Sequence, residues 1–395
     1  MRILFVHEVN YLTKPIFEMH EFPEHLAALG HDVAFLHFPE ALESSSEIGP
    51  SWRLEVYGRV VPEVTLTLFS PRLRVRGLIG RLAAAIRGHS IVRRAVSDFK
   101  PDVIVNLAVP TFGWQVVREA KKRGIPIAYR ALDVSHKIRK TVFASFVKVA
   151  ERFVIRNSDL VLANNPAMLD YCILMGAEPE KVAMVLPQMN IDMFQSAGPS
   201  ELRLRLGIGP QVRIVAYMGS FFYFSGLDQV LTRLATMTEE HKGDVVLLLI
   251  GGGEGESALR KLVEDEGLSQ QVFFTGYVAF SELPEFIGAA DVLINPMKPD
   301  LVSNTALPNK LIQYLSTDAQ VVSTKLNGAF SVFAGIDGMS WADFPEECIE
   351  IALALRDPKL SGEQLSARLN FLRESFGESN LGKFEAELIS LAAAK

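Results

Sequence analysis

Short apolar runs alternate with longer amphipathic segments along most of the chain, and this alternation most constrains the fold. In the first half the apolar runs are Ile3–Val6, Asp32–Leu36, Asp102–Asn106, Ile125–Tyr129 and Leu160–Ala163. Helical patterns separate these runs, as at Phe17–Leu29 and Gly113–Arg123. Continuous apolar strands separated by helices predict a parallel sheet that is covered on both faces.

A second series of the same kind begins after a small, polar, proline-bearing stretch at 195–200, which is typical of a linker. Its apolar runs are Val212–Tyr217, Val245–Ile250, Val272–Phe274, Val292–Ile294 and Val321–Ser323. A chain of 395 residues is too long for one ordinary core, so we predict two doubly wound α/β domains, 1–195 and 196–370. The last helix, at about Glu374–Ala393 within 371–395, can pack back on the first domain. Ligands of such sheets bind at the carboxyl ends of the strands, so we expect the active site in a cleft between two facing sheets.

Composition narrows the class of protein. The net charge of −6 argues against nucleic acid as the main partner. The chain has two cysteines, both in apolar helical patterns, which argues against a disulfide framework or a metal site. The apolar run at the N-terminus is too short for a signal-peptide core, and no stretch of about 18 apolar residues occurs. These features predict a cytoplasmic protein.

The segment Ala306–Ser316 lies between two apolar runs and reads as a helix that opens at Pro308. Proline suits the first turn of a helix because its missing N–H is not needed there. A helix N-terminus attracts phosphate, and Lys310 falls in this first turn. The segment therefore predicts a site where a phosphorylated ligand meets a helix end.

Several short motifs of the second half occur in a characteristic order. They are Tyr217–Ser220 with Ser225-Gly226, Ile250–Gly253, Phe274–Val278, Ala289–Val292 and Leu307–Leu315, after Leu186–Phe194 with Asp192. In this order and spacing the chain resembles the retaining family-4 glycosyltransferases of the GT-B fold, which has two Rossmann-like domains. The resemblance implies transfer of a sugar from a UDP- or GDP-sugar to a glycan, a lipid-linked or a small-molecule acceptor. It also implies that no metal or other cofactor is needed, and the chain has no Asp-x-Asp motif to hold a metal ion.

The chain departs from the family pattern at two places. The family's pair of glutamates is replaced by Thr305 and Gln313, and the family's basic pair by Ser220 and Ser225. An amide oxygen can still accept hydrogen bonds from ribose, but without the help of charge. Lys310 is then the principal cation left for the diphosphate. The aromatic run Phe221–Phe224 is either a lip that contacts a base, a sugar or a lipid, or part of the core.

The resemblance implies substrate-binding roles in the second half for Gly219, Ser220, Ser225, Gly251, Gly252, Thr275, Tyr277, Val278, Thr305, Ala306, Leu307, Asn309 and Gln313. In the first half the polar candidates that follow apolar strands are His7, Glu8, Asn10, Asp133 and His136. Acceptors approach such strand ends, so we take Asp133 and His136, with Lys310, as the candidate catalytic residues. Loop capping is the alternative role for each of the residues in the first half.

Other functions compete with this hypothesis. Gly253–Ala258 satisfies a loose dinucleotide-binding pattern, but the acidic residue that a ribose needs about 20 positions later is absent from Phe274–Gly276. The lost glutamates and basic pair also suit a catalytically weakened GT-B protein that serves as a binding or partner subunit. A GT-B sugar epimerase or phosphorylase is a third alternative, although a phosphorylase would carry longer insertions.

A basic stretch in the first half indicates a possible partner surface. Residues 72–94 contain seven arginines and no acid, interleaved with apolar positions. A basic amphipathic segment can lie on an anionic membrane, where each basic residue contributes roughly 1 kcal/mol. The alternative is an ordinary solvated helix face.

Overall fold

The computed structural model describes residues 1–37, 52–71, 77–107, 112–138, 144–195, 200–241 and 244–394. Contacts between residues divide the chain into two compact units. The first is Met1–Gln188 with Glu378–Lys395, and the second is Met189–Gly377.

The first unit is an eight-stranded sheet with helices on both faces. Its strands are β1 (Arg2–His7), β2 (Asp32–His37), β3 (Arg53–Tyr57), β4 (Thr65–Phe69), β5 (Val103–Leu107), β6 (Ile127–Ala131), β7 (Leu160–Ala163) and β8 (Val182–Met184). Its helices before the second unit are α1 (Glu18–Ala28), α2 (Gly77–Phe99), α3 (Gly113–Arg123), α4 (Ser135–Ile138), α5 (Ala144–Asn157) and α6 (Pro166–Leu174). The strand order is β3-β4-β2-β1-β5-β6-β7-β8, and the pairs are parallel except β3 with β4.

The second unit is a six-stranded parallel sheet, in the order β11-β10-β9-β12-β13-β14. Its strands are β9 (Arg213–Met218), β10 (Val245–Ile250), β11 (Val272–Gly276), β12 (Val292–Asn295), β13 (Gln320–Thr324) and β14 (Met339–Ala342). Its helices are α7 (Ser200–Arg205), α8 (Leu227–His241), α9 (Glu256–Asp265), α10 (Leu283–Gly288), α11 (Leu301–Thr305), α12 (Asn309–Leu315), α13 (Asn327–Phe333), α14 (Glu347–Ala354) and α15 (Gly362–Phe376). Short 3-10 turns occur at Asp192–Phe194 and Phe280–Glu282 in this unit and at Pro179–Lys181 in the first unit.

The chain passes into the second unit earlier than the predicted boundary at 195, because residues 189–195 bond within that unit. The Met189 N–H donates to the Phe376 carbonyl at 2.8 Å, and Arg373 bonds Asp192 at 2.8 Å. Of the predicted linker at 195–200, residues 196–199 lie outside the described part of the chain.

The final helix, α16 (Glu378–Ala393), belongs to the first unit. Its Phe384 ring stacks on Phe22 of α1 with centroids 4.2 Å apart. The sequence-based start at about Glu374 is wrong, because Gly377 adopts an extended backbone (φ −82°, ψ −163°) and separates α15 from α16. The core of the first unit therefore contains side chains from both ends of the chain.

Candidate functional site

Glycine turns at the carboxyl ends of β9 and β10 come into direct contact. Gly219 and Gly251 have φ angles of 140° and 122°, which side-chain-bearing residues rarely adopt. A Cβ atom on Gly251 would lie 2.3 Å from the Gly219 carbonyl oxygen, so no larger residue fits there. The Gly219 N–H donates to the Ile250 carbonyl at 2.9 Å, and the Phe221 N–H donates to the Gly252 carbonyl at 2.8 Å. Bare backbone is therefore concentrated at the sheet edge where ligands of such folds bind.

A third turn, after β11, completes this edge. The Gly251 N–H donates to the Gly276 carbonyl at 2.9 Å, and the Thr275 hydroxyl donates to the same oxygen at 2.8 Å. Tyr277 is 68 % exposed, and its ring would lie 3.1 Å from a Cβ atom on Gly252. An exposed aromatic ring beside a glycine turn can stack on a flat base. Val278, the last predicted residue of this turn, is partly buried.

Lys310 extends to the first of these turns. Its Nζ atom would lie 3.3 Å from a Cβ atom on Gly219 and lies 4.0 Å from the centroid of the Tyr217 ring. The helix that carries it begins at Asn309, with Pro308 as the capping residue before it rather than inside the first turn. Tyr314 of the same helix fixes the helix to β9, because its buried hydroxyl accepts a 2.6 Å hydrogen bond from the Met218 N–H.

Lys310 has no ion-pair partner within the described part of the chain. Burial lowers the pKa of its ammonium to about 7, because the charged form loses the solvation that water would provide. An anion at this position would restore the lost stabilisation. The geometry and the electrostatics together leave the Lys310 ammonium without a counter-ion in the described structure.

Gln313 follows Lys310 by one helical turn and is 7 % exposed. Its side-chain amide makes no hydrogen bond to any residue that the structure describes, so its donors and acceptor remain available. Asn309, at the start of the helix, is partly buried.

Thr305, which we predicted to bind hydroxyls of the donor sugar, has its own hydroxyl bonded within its helix. Its Oγ1 donates within its own helix, with the Leu301 and Val302 carbonyls at 2.8 and 3.1 Å. The Ala306 N–H also donates back to Val302, at 3.1 Å. Ala306 and Leu307 are buried, and a Cβ atom on Gly328 would lie 2.4 Å from the Ala306 carbonyl. This segment is packed as scaffold against the start of α13.

The aromatic run Phe221–Phe224 divides between core and surface. Phe221 is fully buried in the core of the second unit. Phe222 and Tyr223 are 39 % and 46 % exposed and pack on Phe224. Ser225 is buried behind them, with its N–H bonded to the Phe222 carbonyl at 3.0 Å. Ser220, which precedes the run, is partly buried and its carbonyl accepts the Tyr217 hydroxyl at 3.1 Å.

Three candidates of the first unit lie at or after the end of β1. His7 is buried with its Nδ1 atom unpaired, and burial lowers the pKa of its ring to about 4, so the ring is neutral. The Glu8 carboxylate accepts the Phe112 N–H at 2.8 Å, and the Asn10 side chain accepts the Leu12 N–H at 2.9 Å. Both of these hydrogen bonds hold loop backbone, as expected for the alternative capping role.

Asp133 lies in the turn between β6 and α4, and His136 lies in α4 itself. The His136 Nδ1 atom lies 2.8 Å from the Glu151 carboxylate, which also accepts the Tyr171 hydroxyl at 3.0 Å. Burial, followed by the charges of Glu18 and Glu151, raises the pKa of Asp133 to about 6. Asp133 has no hydrogen bond to another described side chain. The structure brings these two predicted residues together around an acid that the sequence did not single out.

The described residues contain no group of three His, Cys, Asp or Glu side chains that could hold a metal ion. Within the same residues, no helix is long and apolar enough to cross a membrane. The two cysteines are buried and free. Of the basic stretch 72–94, residues 72–76 lie outside the described part, and Arg87, Arg93 and Arg94 are exposed on α2.

Comparison with known proteins places the chain in a family. The family description "Glycosyl transferase 4-like domain" matches residues 19–187, and "Glycosyl transferases group 1" matches residues 212–357. D-inositol 3-phosphate glycosyltransferase of Streptomyces scabiei is 26 % identical over 201 residues, which is 47 % of this chain and 44 % of that protein. The alignments with such curated relatives span about half of the relatives' length.

Solved structures share the fold over the full length. Sucrose-phosphate synthase from Thermosynechococcus elongatus has a TM-score of 0.81 at 15 % identity, with 100 % of each chain covered. The Anabaena protein HepE in complex with UDP has a TM-score of 0.73 at 16 % identity, covering 99 % of this chain and 100 % of that one. Two parallel-sheet α/β units of this kind define the GT-B fold, as the sequence predicted. The chain belongs to the group 1 glycosyl transferases, which confirms the resemblance drawn from its motifs.

Proposed function

We propose that this chain transfers a sugar from a UDP- or GDP-sugar to an acceptor, with retention of configuration at the anomeric carbon and without a metal ion. The observation that carries the proposal is Lys310, an ammonium without a carboxylate partner in the described structure, next to the Gly219 and Gly251 turns. A diphosphate fits such a place because it supplies the missing negative charge to a group that burial has desolvated.

The remaining donor-site residues have roles that follow from their positions. The Gln313 amide, which has no hydrogen-bond partner among the described residues, donates hydrogen bonds to the ribose hydroxyls and accepts hydrogen bonds from them. The exposed Tyr277 ring stacks on the base beside Gly252. That the Anabaena neighbour is in complex with UDP supports a nucleotide-sugar donor.

The transfer itself requires stabilisation of a leaving diphosphate. The bond between the anomeric carbon and the donor phosphate oxygen breaks, and its electron pair stays on the diphosphate. The acceptor hydroxyl forms the new bond on the same face, and its proton passes to the departing phosphate oxygen. Lys310 stabilises the negative charge that develops there, which is the role a metal ion would otherwise take.

In this proposal, polar residues of the first unit bind the acceptor. Asp133 lies in the turn after β6 and His136 in the short helix α4 that follows, and the Glu151 carboxylate orients the His136 ring. The name of the Streptomyces relative, a D-inositol 3-phosphate glycosyltransferase, supports an acceptor with several hydroxyl groups. Glycans, lipid-linked and small-molecule acceptors all meet this description.

Binding of UDP and GDP, measured by titration calorimetry below pH 7, tests the donor site. Lys310→Ala should weaken binding roughly ten- to hundredfold, because a charge-assisted hydrogen bond contributes about 1.5–3 kcal/mol. Lys359→Ala is the matched control, since that lysine pairs with Asp318 before the start of β13. Equal affinity in wild type and Lys310→Ala would refute the phosphate site.

A catalytically weakened binding subunit is the second candidate. The commitment of the Thr305 hydroxyl to its own helix and the neutral Gln313 favour it. Wild type that binds UDP or GDP and forms a glycosylated product with lipid-linked or polyol acceptors would exclude it. Binding of none among UDP, GDP, ADP and TDP would favour it.

We also propose peripheral contact of the first unit with an anionic membrane through 72–94, at a protein that we predict to be cytoplasmic. Exposed Arg87 and Arg93 on α2, and Arg118, Lys121 and Lys122 on α3, support this contact. Wild type should sediment with vesicles that contain phosphatidylglycerol and not with pure phosphatidylcholine, and Arg87→Glu with Arg93→Glu should abolish sedimentation. Equal sedimentation of wild type and variant would remove the contact from the proposal.

A further inference from the structure

Tyr217, near the end of β9, lies directly beneath the Lys310 ammonium. The Nζ atom is 4.0 Å from the centroid of the ring, well within the range of a cation–π contact. The ring is 2 % exposed, so little water screens the contact. The sequence motif around Gly219 gave Tyr217 no role of its own.

The Tyr217 ring is itself held in place. Its hydroxyl donates to the Ser220 carbonyl at 3.1 Å, across the Gly219 turn, and the Phe221 ring packs against it with centroids 6.1 Å apart. Burial raises the pKa of the Tyr217 hydroxyl, so the group stays a neutral donor and never an anion near the lysine. The turn, the ring and the ammonium form one fixed arrangement.

An aromatic ring and a carboxylate would hold this lysine with different consequences. A carboxylate would neutralise the ammonium and compete with any anionic ligand. A ring stabilises the cation through its quadrupole and carries no net charge, so the ammonium keeps its attraction for phosphate. Within the described structure, the titratable side chain in contact with the Lys310 ammonium is the phenol of Tyr217, and Tyr314 lies one turn further along the lysine's own helix. Burial raises the pKa of both phenols, so both are neutral.

We propose that Tyr217 is a positioning residue that holds the Lys310 ammonium, charged, over the Gly219 turn for the donor diphosphate. This inference rests on the proposed function, because it assigns Tyr217 a part in the same donor site. It predicts that the electron density of the ring, and not only its shape, sets the affinity for nucleoside diphosphate.

A fluorination series at position 217 separates these two properties. Tyr217→Phe is the reference, and phenylalanines with one, two and three ring fluorines are then incorporated at the same position. Each fluorine weakens the quadrupole with little change in shape, so the Kd for UDP and for GDP should rise stepwise, to roughly tenfold in total. Unchanged melting temperatures across the series would verify that folding is intact. A flat series would overturn the inference.

A second readout needs no nucleotide. The pKa of Lys310, followed by NMR of carbon-13-labelled lysine and assigned with Lys310→Ala, should fall stepwise through the same series. A pKa that does not change with fluorination contradicts the role of the ring even if no donor is found.

The two proposals can fail separately. If Lys310→Ala binds UDP and GDP as wild type does, the proposed phosphate site is wrong. If Lys310→Ala loses affinity while the fluorination series is flat in both readouts, only the role of Tyr217 is wrong. In a Lys310→Ala background the series should be flat, because the ring then has no cation to hold.

Discussion

The two sheets of this molecule differ in how the charged side chains at their carboxyl edges are paired. In the first unit, buried Arg130 of β6 pairs with Glu18 at 2.8 Å, and the His136 ring is bonded to Glu151. In the second unit, Lys310 lies over an aromatic ring with no carboxylate partner in the described structure. Paired charges stabilise the local arrangement, whereas an unpaired buried charge is costly unless a ligand compensates it. The difference is consistent with the proposal that an anionic ligand binds at the second edge.

Breaking the buried pair of the first unit should have the largest effect on stability. Glu18→Ala leaves the Arg130 guanidinium buried without its counter-ion, which costs about 3–5 kcal/mol. Urea unfolding should show this loss, while UDP affinity of the folded protein stays unchanged. Glu55→Ala is the control, because it breaks an exposed pair with Arg53 that contributes about 0–1 kcal/mol, together with one hydrogen bond from the Thr67 hydroxyl. Equal loss in both variants would contradict the contrast between buried and exposed pairs.

A side chain added at the contact between the glycine turns should disrupt the proposed donor site of the second unit. Gly251→Ala adds a Cβ atom 2.3 Å from the Gly219 carbonyl at a φ of 122°, so the turns must separate. We expect about 1–3 kcal/mol of backbone strain and loss of UDP binding in calorimetry. Gly267→Ala also has a positive φ, of 70°, but meets no atom within 4 Å. It should lose about 1 kcal/mol of stability and keep its affinity for UDP.

A change of pH should alter the UDP affinity of the second unit through the titration of Lys310. Because the pKa of Lys310 is lowered to about 7, its ammonium is present below pH 7 and is lost as the pH rises through that value. A bound diphosphate raises this pKa, so binding above pH 7 takes up a proton and UDP affinity should fall up to about tenfold per pH unit. UDP itself titrates in the same way with wild type and with Lys310→Ala. The difference between the two pH profiles of UDP affinity therefore isolates the contribution of the lysine. Parallel profiles would contradict the assignment.

The smallest expected effect is a gain of stability in the first unit. Gly382 lies inside α16, and a Cβ atom there would meet nothing within 4 Å. Gly382→Ala should therefore stabilise the first unit by about 0.5–1 kcal/mol, as measured by scanning calorimetry. The UDP affinity should not change, since α16 carries no residue of the donor site. A lower melting temperature would mean that this position needs glycine for a reason other than helix propensity.

Much of the fold could be predicted because the central strands are continuously apolar. Leu160–Ala163 and Val245–Ile250 have the predicted bounds, and neighbouring strands differ by one or two residues at their ends. Of the described strands, four were missed: β3, β8 and β14, which are partly exposed strands at sheet edges, and β4, in which threonine alternates with leucine. Strands that pair with only one neighbour have a less pronounced apolar sequence pattern than strands buried on both faces.

Residues of the candidate site could be predicted from the sequence only where they form a recognisable pattern over a few neighbouring positions. Lys310 and Gln313 lie one turn apart on a helix, and the glycines follow apolar strands, so a sequence pattern reaches them. Tyr217 and Glu151 were missed because an aromatic residue in a buried strand and a lone acid in an amphipathic helix look like ordinary scaffold. Their roles arise from contacts with Lys310 and His136 that only the folded chain creates.

Because α16 belongs to the first unit but follows the second unit in the chain, the first unit can be completed only after the second has been synthesised. The first 188 residues leave the ribosome well before Glu378, so the first unit must wait for the whole second unit to be synthesised. During this interval the apolar surface that Phe384 covers, which includes Phe22, is open to water or to a chaperone. Completion of the first unit therefore follows synthesis of the second unit.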